Sequence, residues 1–429
     1  MKLFKKVCRR LFLEDSPSAI AMGRLVATGI GFINVPLIAW LVGAEGRGET
    51  AAVLAAFYLV PILLGIGMPL EVRRLATQGE YKSVARASKD IAWLMIIPAL
   101  GIALLLIGTV FQSLNQHSRI ATFVGISLAP MMISWMCDQS ILIARKEYRK
   151  TGFIQLSQPF VNLIFILVLI PFVQVKVEHV IWSAIVSQFI TMLLGLLLVR
   201  HGIFGDRYSY TKLLRKSFSF FGGSIAEAAS NRLDQVILLP VIGSFQLGLY
   251  SVAATISTMP LMLGHALGAT YFNSLARAPE ELKKSIKITA INSTLTMSLG
   301  FSLFLALFSP LAITLLFGAE FHGAILVTFI SLIGSIALTP AFVCSMLLVA
   351  DGRGGLMTIG QLISVVSAVI GIFIFATTMG AVGAAIASTV SYILLFIALC
   401  NFSGIGIKKI RIGSKEAKQG IKSFFKKEI

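Results

Sequence analysis

Glu227, Arg232 and Asp234 stand in a stretch that is otherwise apolar enough to cross a bilayer, Ser217 to Gly243 (SFSFFGGSIAEAASNRLDQVILLPVIG). About 20 residues at roughly 1.5 Å each span a hydrocarbon core, and a charge at its centre costs about 3 kcal/mol or more. Charges placed there face a cavity, a partner or a substrate path. On a helical wheel Ser224, Glu227, Asn231, Arg232, Asp234 and Gln235 share one arc, while Ile225, Ala226, Ala229, Leu233, Val236 and Ile237 fill the other. The polar arc is expected to meet water, cargo or an internal partner. A guanidinium there offers bidentate, charge-assisted hydrogen bonds that suit phosphate. The two carboxylates, Glu227 and Asp234, offer either an internal ion pair with Arg232 or a site for ion coupling. Gly222, Gly223 and Pro240 bracket the charges and predict a bend in this helix.

Other polar residues fall in apolar runs. Arg24 lies about six residues, roughly 9 Å, into the first run. At that depth it either snorkels to the headgroups or faces the same site as Arg232, where two arginines would draw an anionic phosphate or diphosphate. Asn34, Gln155, Ser157, Gln158, Asn162, Ser187, Gln188, Asn292, Ser293, Thr294 and Gln361 carry amides and hydroxyls. Amides both donate and accept, which suits sugar hydroxyls, and the same groups join neighbouring helices by hydrogen bonds. Asp138 could pair with Arg145 or couple an ion, and His265 could serve a proton relay.

The elements that must position these residues follow from composition. The 429 residues are 56% hydrophobic and only 13% charged, with a mean hydropathy of +0.87. No soluble domain of this size has that balance. The net charge of +18 would point to nucleic acid in a soluble chain, but here the basic residues sit in the gaps between apolar runs. Cys8, Cys137, Cys344 and Cys400 form no disulfide or metal spacing. The basic opening MKLFKKVCRRLFLEDSPS lacks a short apolar core with a small-residue cleavage site, so the first span is expected to be retained.

Apolar runs predict twelve transmembrane spans, near 18–43, 50–71, 90–112, 120–143, 152–174, 179–199, 218–242, 247–272, 288–317, 323–350, 355–378 and 381–403. Pro310 is expected to split the ninth, leaving LAITLLFG as a separate piece. Of the 37 Lys and Arg residues, Arg47, Arg119 and Lys176 lie in alternate gaps and Arg24 and Arg232 inside spans. All the others lie on one side, including Lys89 in the 72–89 loop. By the positive-inside rule that side is cytoplasmic and holds both termini. No GxxxxGK[ST] sequence and no loop able to hold a nucleotide-binding domain occurs, so no enzyme and no cofactor are expected. The basic tail, with Ile407, Ile410, Ile412, Ile421, Phe424 and Phe425 among its lysines, could lie on anionic lipid or serve only to fix topology.

An internal repeat completes the reading. LVGAEGRGETAAVLAAFYLVPILLG from Leu41 parallels VIGSFQLGLYSVAATISTMPLMLG from Val241, with Gly43 and Gly48 matching Gly243 and Gly248. Six spans separate the copies, so both have the same orientation. The expected architecture is all-α and integral to the membrane, two six-helix lobes related by a parallel pseudo-repeat about a central cleft. Residues 1–199 form the N-terminal lobe, 200–217 a cytoplasmic linker, 218–403 the C-terminal lobe and 404–429 the tail.

The LVGAEGRGE turn, GMPLEVRRLA closing the second span, NRLDQVILLPVIGSFQLGLYSVAATIS, and LLFGAEFHGA after the ninth resemble polysaccharide-unit flippases of the Wzx type. These belong with the multidrug, oligosaccharidyl-lipid and polysaccharide exporters that share the MATE fold. The resemblance covers almost the whole chain. It implies transport of undecaprenyl-diphosphate-linked oligosaccharide from the cytoplasmic to the outer leaflet of a bacterial inner membrane by alternating access. The family's cationic cavity maps onto Arg232 and Arg24, with Asn231, Gln235 and Asn34 as further substrate contacts. Glu227, Asp234, Asp138 and His265 are the candidates for coupling to H+ or Na+. Membrane lipids and a polysaccharide polymerase are the implied partners. A cation-coupled drug exporter of the same fold, a lipid II flippase with two further helices, and a non-transporting scaffold for polymerase assembly are the alternatives.

Overall fold

The computed structural model describes residues 17–203, 207–276, 278–406, 410–413 and 416. The basic N-terminal segment with Cys8, and most of the tail expected to lie on lipid, fall outside the described residues. In hydrocarbon every backbone polar group must be satisfied within its own segment, which leaves helices or closed barrels. Here the described residues are helical, without a strand. In chain order the helices are α1 (Pro17–Gly65), α2 (Met68–Thr77), α3 (Tyr81–Leu94), α4 (Ile96–Thr109), α5 (Gln116–Ser127), α6 (Ala129–Ala144) and α7 (Tyr148–Leu169). They continue as α8 (Val177–Ile203), α9 (Tyr210–Ser257), α10 (Leu261–Ala276), α11 (Glu280–Phe317), α12 (Ala324–Ala350), α13 (Gly354–Gly371) and α14 (Thr377–Phe402). Among the described residues eight helices are long and apolar enough to cross a membrane, or nine if α5 and α6, bent by 41°, form one span.

Glycines set the breaks. α1 has 49 residues and α9 has 48, each about 70 Å long and more than twice the hydrocarbon thickness. Gly43 (φ 70°, ψ −176°) interrupts the first and Gly243 (φ 78°, ψ 169°) the second. Only glycine takes such angles without strain. The bend expected near Gly222, Gly223 and Pro240 is thus displaced to Gly243, because α9 stays helical through the other three. A π turn over Ile372–Ala376 and Gly380 (φ 59°) interrupt the last long apolar helix between α13 and α14.

Several gaps expected to be loops are helical instead. The 72–89 gap contains the end of α2 and the start of α3, and α11 begins at Glu280 rather than 288. These ends are amphipathic, so a search for continuous apolarity misses them. Pro310 does not divide α11, which runs unbroken for 38 residues. The Ala306 carbonyl, deprived of its Pro310 donor, accepts a hydrogen bond from Ser309 Oγ at 3.2 Å.

The chain divides into two compact units, Met1–Ala228 and Ala229–Ile429, with the boundary inside α9. In the first, α1 packs on α7 and α7 on α8, around Ile38, Ile166, Val175 and Val180. A Cβ on Gly23 would lie 3.1 Å from Gly152 Cα, so α1 and α7 nearly touch there. In the second, α12 is central, packed by α10, α11 and α14. Its core includes Ile291, Leu338, Leu348, Leu395 and Ile405, together with Cys344 and Cys400, whose sulfurs are 3.9 Å apart.

Candidate functional site

α9 forms the site because its apolar arc packs while its polar arc is carried along. Val236, Leu238 and Leu239 are buried, and Arg232 is exposed. The polar arc does not act as one surface. Arg232 and Glu227 are exposed, whereas the Gln235 side chain is only 7% exposed and Asp234 points into the second unit. The side chain of Asn231 lies outside the described residues.

Asp234 is the best-built polar centre. Its Oδ2 accepts a hydrogen bond from Tyr250 Oη at 2.5 Å, and Tyr250 Oη is 2.8 Å from Ser388 Oγ. With its one proton given to Asp234, Tyr250 accepts from Ser388. Asp234 Oδ1 takes the backbone N–H of Gln235 at 2.8 Å. Tyr250 and Ser388 are both buried, so the chain Ser388 to Tyr250 to Asp234 satisfies a carboxylate that lipid would not tolerate. Beside it is a pocket lined by Ser230, Asp234, Ser364, Ile372, Ser388 and Tyr392. The space open to the centre of a water there is about 20 Å³, enough for one water or one monatomic ion and too little for a sugar. Ile372 opens the π turn, a distortion that recurs at functional sites. The Arg232 charge acts on Asp234 and on Tyr392. Tyr250, Tyr392 and Ser388 are absent from the sequence-derived candidates. The signal for Tyr250 was its position sixteen residues beyond Asp234, on the far side of the Gly243 break.

Among the described residues no ion pair involves Arg24 or Arg232. Arg24 is exposed, and within the first unit its charge acts on Glu227. The expected ion pair of Arg232 with Glu227 or Asp234 is therefore not formed. Asn34 is buried and donates from Nδ2 to Asn162 Oδ1, and Asn162 Nδ2 donates to Ser183 Oγ at 3.0 Å. That chain ties α1, α7 and α8 together. His265 packs edge-on against Phe342 with ring centroids 4.3 Å apart.

The expected pairing of Asp138 with Arg145 is overturned. Arg145 instead pairs with Glu147 at 2.7 Å and stacks on Tyr81. Asp138, fully buried on α6, pairs with Lys89. Lys89 is therefore no loop residue: it is 7% exposed on α3 and also reaches Ser134 O at 3.0 Å and Ser134 Oγ at 2.7 Å. A long ammonium stem reaches a partner on another helix as readily as one seven residues away, and here burial of both ends favours the distant one.

Two of the sequence motifs prove to be turns. In GMPLEVRRLA, Gly67 (φ 72°) precedes α2 and the buried Glu71 holds Arg74 through two bonds of 2.7 and 2.6 Å. In LLFGAEFHGA, Gly318 (φ 92°) ends α11 and Phe321 is buried.

This arrangement of helices is a fold shared with solved membrane proteins. The structure is similar to the lipid II flippase MurJ in an inward closed conformation, with a TM-score of 0.75, 14% identity, and coverage of 94% of this chain and 90% of that one. It is also similar to a multidrug resistance MATE family transporter in an inward-facing conformation, with a TM-score of 0.68, 16% identity, and coverage of 90% and 97%. The chain belongs to the polysaccharide biosynthesis protein family, whose model matches residues 15–272. It is further similar to the succinoglycan biosynthesis transport protein ExoT of Rhizobium meliloti (strain 1021), 23% identical over 347 residues, which cover 77% of this chain and 67% of that protein. It is a multi-pass membrane protein of MATE-like fold, and the resemblance carried by its motifs is borne out.

Proposed function

We propose that this protein flips an undecaprenyl-diphosphate-linked oligosaccharide from the cytoplasmic to the outer leaflet of a bacterial inner membrane. Arg232 carries the reading. It is an exposed guanidinium in a stretch long and apolar enough to cross a bilayer, and among the described residues it has no carboxylate partner. Such a charge persists where it has cargo to meet, and bidentate hydrogen bonding to a diphosphate is the contact its geometry favours. Beside Arg232 in the second unit, Asn231 and Gln235 are the proposed sugar contacts; Arg24, exposed on α1, remains a candidate phosphate-binding cation, and Asn34, already bonded to Asn162, the weakest of the sugar candidates. A cationic drug would be repelled by the same arginines.

The working architecture is twelve spans in two six-helix lobes, related by a parallel repeat and operating by alternating access, with both termini cytoplasmic. Division of the long helices at Gly43, Gly243 and Gly380, with α5 and α6 counted as one span, supports the number. The shared backbone angles of Gly43 and Gly243 support the repeat. Ion coupling, by H+ or Na+, is assigned first to Asp234, whose adjacent pocket holds one small ion or water. Glu227, Asp138 and His265 follow as weaker coupling candidates, since Asp138 is already paired with Lys89. A polysaccharide polymerase is the proposed consumer of the flipped unit.

The test is reconstitution. Proteoliposomes loaded with undecaprenyl-diphosphate-linked glycan should render it accessible to an impermeant sugar-oxidising reagent faster than protein-free vesicles. Equal rates in both would refute the proposal.

A further inference from the structure

The first turns of α9 carry two faces of opposite character. Leu213 and Ser217 are fully buried, whereas Lys212, Arg215 and Lys216 are exposed. Phe218, three residues beyond Arg215, is exposed as well, at 66%. α2 repeats the pattern: Met68, Glu71, Val72 and Leu75 are buried, while Leu70 and Arg73 are exposed. The two helices meet at Gly67 (φ 72°), where a Cβ would lie 2.7 Å from Ser217 O and 2.8 Å from Phe220 Cβ. All of these residues belong to the first unit.

The acids nearby are already engaged. Glu71 holds Arg74 through two bonds, and Asp90 on α3 accepts from Tyr210 Oη at 2.6 Å and pairs with Arg207 Nε at 3.3 Å. Among the described residues no ion pair involves Arg73, Lys212, Arg215 or Lys216. Four exposed positive charges are thus left beside two exposed apolar side chains, Leu70 and Phe218. From Tyr210 to the Gly243 break, α9 is helical over about 50 Å, some 20 Å longer than a hydrocarbon core. With Gly243 at one boundary of the core, the other boundary falls about 20 residues earlier, so Phe218 and Arg215 stand at the depth of the headgroups. Apolar side chains beside basic ones are how an amphipathic helix sits in that layer. Each Lys or Arg there strengthens attraction to anionic lipid by about fivefold.

We propose that this face of the first unit is a docking surface for anionic phospholipid headgroups. Arg73, Lys212, Arg215 and Lys216 meet the phosphates, and Leu70 and Phe218 reach the acyl boundary. Charge selects the occupant: a zwitterionic headgroup brings no net charge, whereas an anionic one supplies the counter-charge that the neighbouring carboxylates, spent on Arg74 and Arg207, do not. Arg73 and Arg215 add bidentate hydrogen bonds to phosphate oxygens. The surface lies wholly within the first unit, and its test needs no cargo and no transport.

Native mass spectrometry of the purified full-length protein, titrated in detergent with phosphatidylglycerol or phosphatidylcholine, counts the lipids it holds. The wild type should bind its first phosphatidylglycerol about tenfold or more tightly than its first phosphatidylcholine. Lys212→Gln/Arg215→Gln/Lys216→Gln should weaken phosphatidylglycerol binding by about tenfold or more and leave phosphatidylcholine unchanged, and Arg73→Gln, on the other helix, should weaken it by about fivefold. Phe218→Ser should weaken both lipids alike. Lys422→Gln/Lys426→Gln/Lys427→Gln, in the basic tail, should leave the preference intact. A wild type without the preference, or a preference that survives both the α9 triple variant and Arg73→Gln, overturns the proposal. Loss of the preference on changing the tail lysines alone would overturn it too, and would assign the lipid to the tail.

Discussion

Lys89→Met should be among the most damaging single substitutions in the first unit. Lys89 Nζ is the described partner of a carboxylate with no solvent exposure, and it also binds Ser134 O and Ser134 Oγ. Asp138 Oδ1 already lacks a partner, and a Cβ at Gly195 would fall 2.6 Å from Oδ2, so there is no space for a new donor to approach from α8. Removing one partner from a buried pair costs about 3–5 kcal/mol, because the other charge is stranded. Asp138→Leu should cost a similar amount by stranding the ammonium. The double variant Lys89→Met/Asp138→Leu strands nothing and should lie within about 1–2 kcal/mol of wild type. Thermal unfolding of the detergent-purified protein, followed by loss of the monodisperse peak, reads all four members of the cycle. Both single variants should melt several degrees lower and the double variant should recover most of the loss. A double variant as unstable as the sum of the singles would refute the claim that these groups are worth most to each other.

Tyr250→Phe strips the side-chain donor from half-buried Asp234 and should destabilise the second unit by about 1–3 kcal/mol, read by the same unfolding assay, while Asp234→Asn should abolish any acceleration of flipping by an imposed proton or sodium gradient in proteoliposomes. Gly67→Ala places a methyl against Ser217 O and Phe220 Cβ at a positive φ and should lower stability by about 1–3 kcal/mol, with faster amide exchange in 210–220. The hydrogen bond to Asp90, aided by burial and by the Asp90 charge, raises the Tyr210 phenol above its usual range. A proton held more tightly in the folded state stabilises it fully below the unfolded value, near 10, and that contribution is lost as pH rises through the raised value. Thermal stability of the detergent-purified protein should therefore fall at strongly alkaline pH, and fall less in Tyr210→Phe than in the wild type.

Apolar runs were legible because lipid demands them, and Gly43 and Gly243 because two similar stretches of sequence carry a glycine where each long helix is interrupted. The amphipathic helix ends were not. Tyr81–Leu94 buries Val84, Ser88, Ile91 and Ala92 on one face, a helical spacing that a search for continuous hydrophobicity passes over. Charge counting put Lys89 in a loop because it registers a lysine's position and not its burial. The partner of Asp138 is 49 residues away on another helix, and no local pattern encodes that meeting. The α9 charges were legible as a group, but their division between exposed Arg232 and inward Asp234 depended on Tyr250 and Ser388, contributed from beyond the Gly243 break and from α14.

The central claim is that Arg232 meets the anionic head of the cargo. Its most direct test is restoration of surface polysaccharide in a flippase-deleted bacterium by the wild type, by Arg232→Ala and by Arg232→Lys, with membrane abundance measured for each. The account predicts export by the wild type, severe loss in Arg232→Ala at normal abundance, and partial export by Arg232→Lys, which keeps the charge without the bidentate fork. Export by Arg232→Ala at the wild-type level would contradict it.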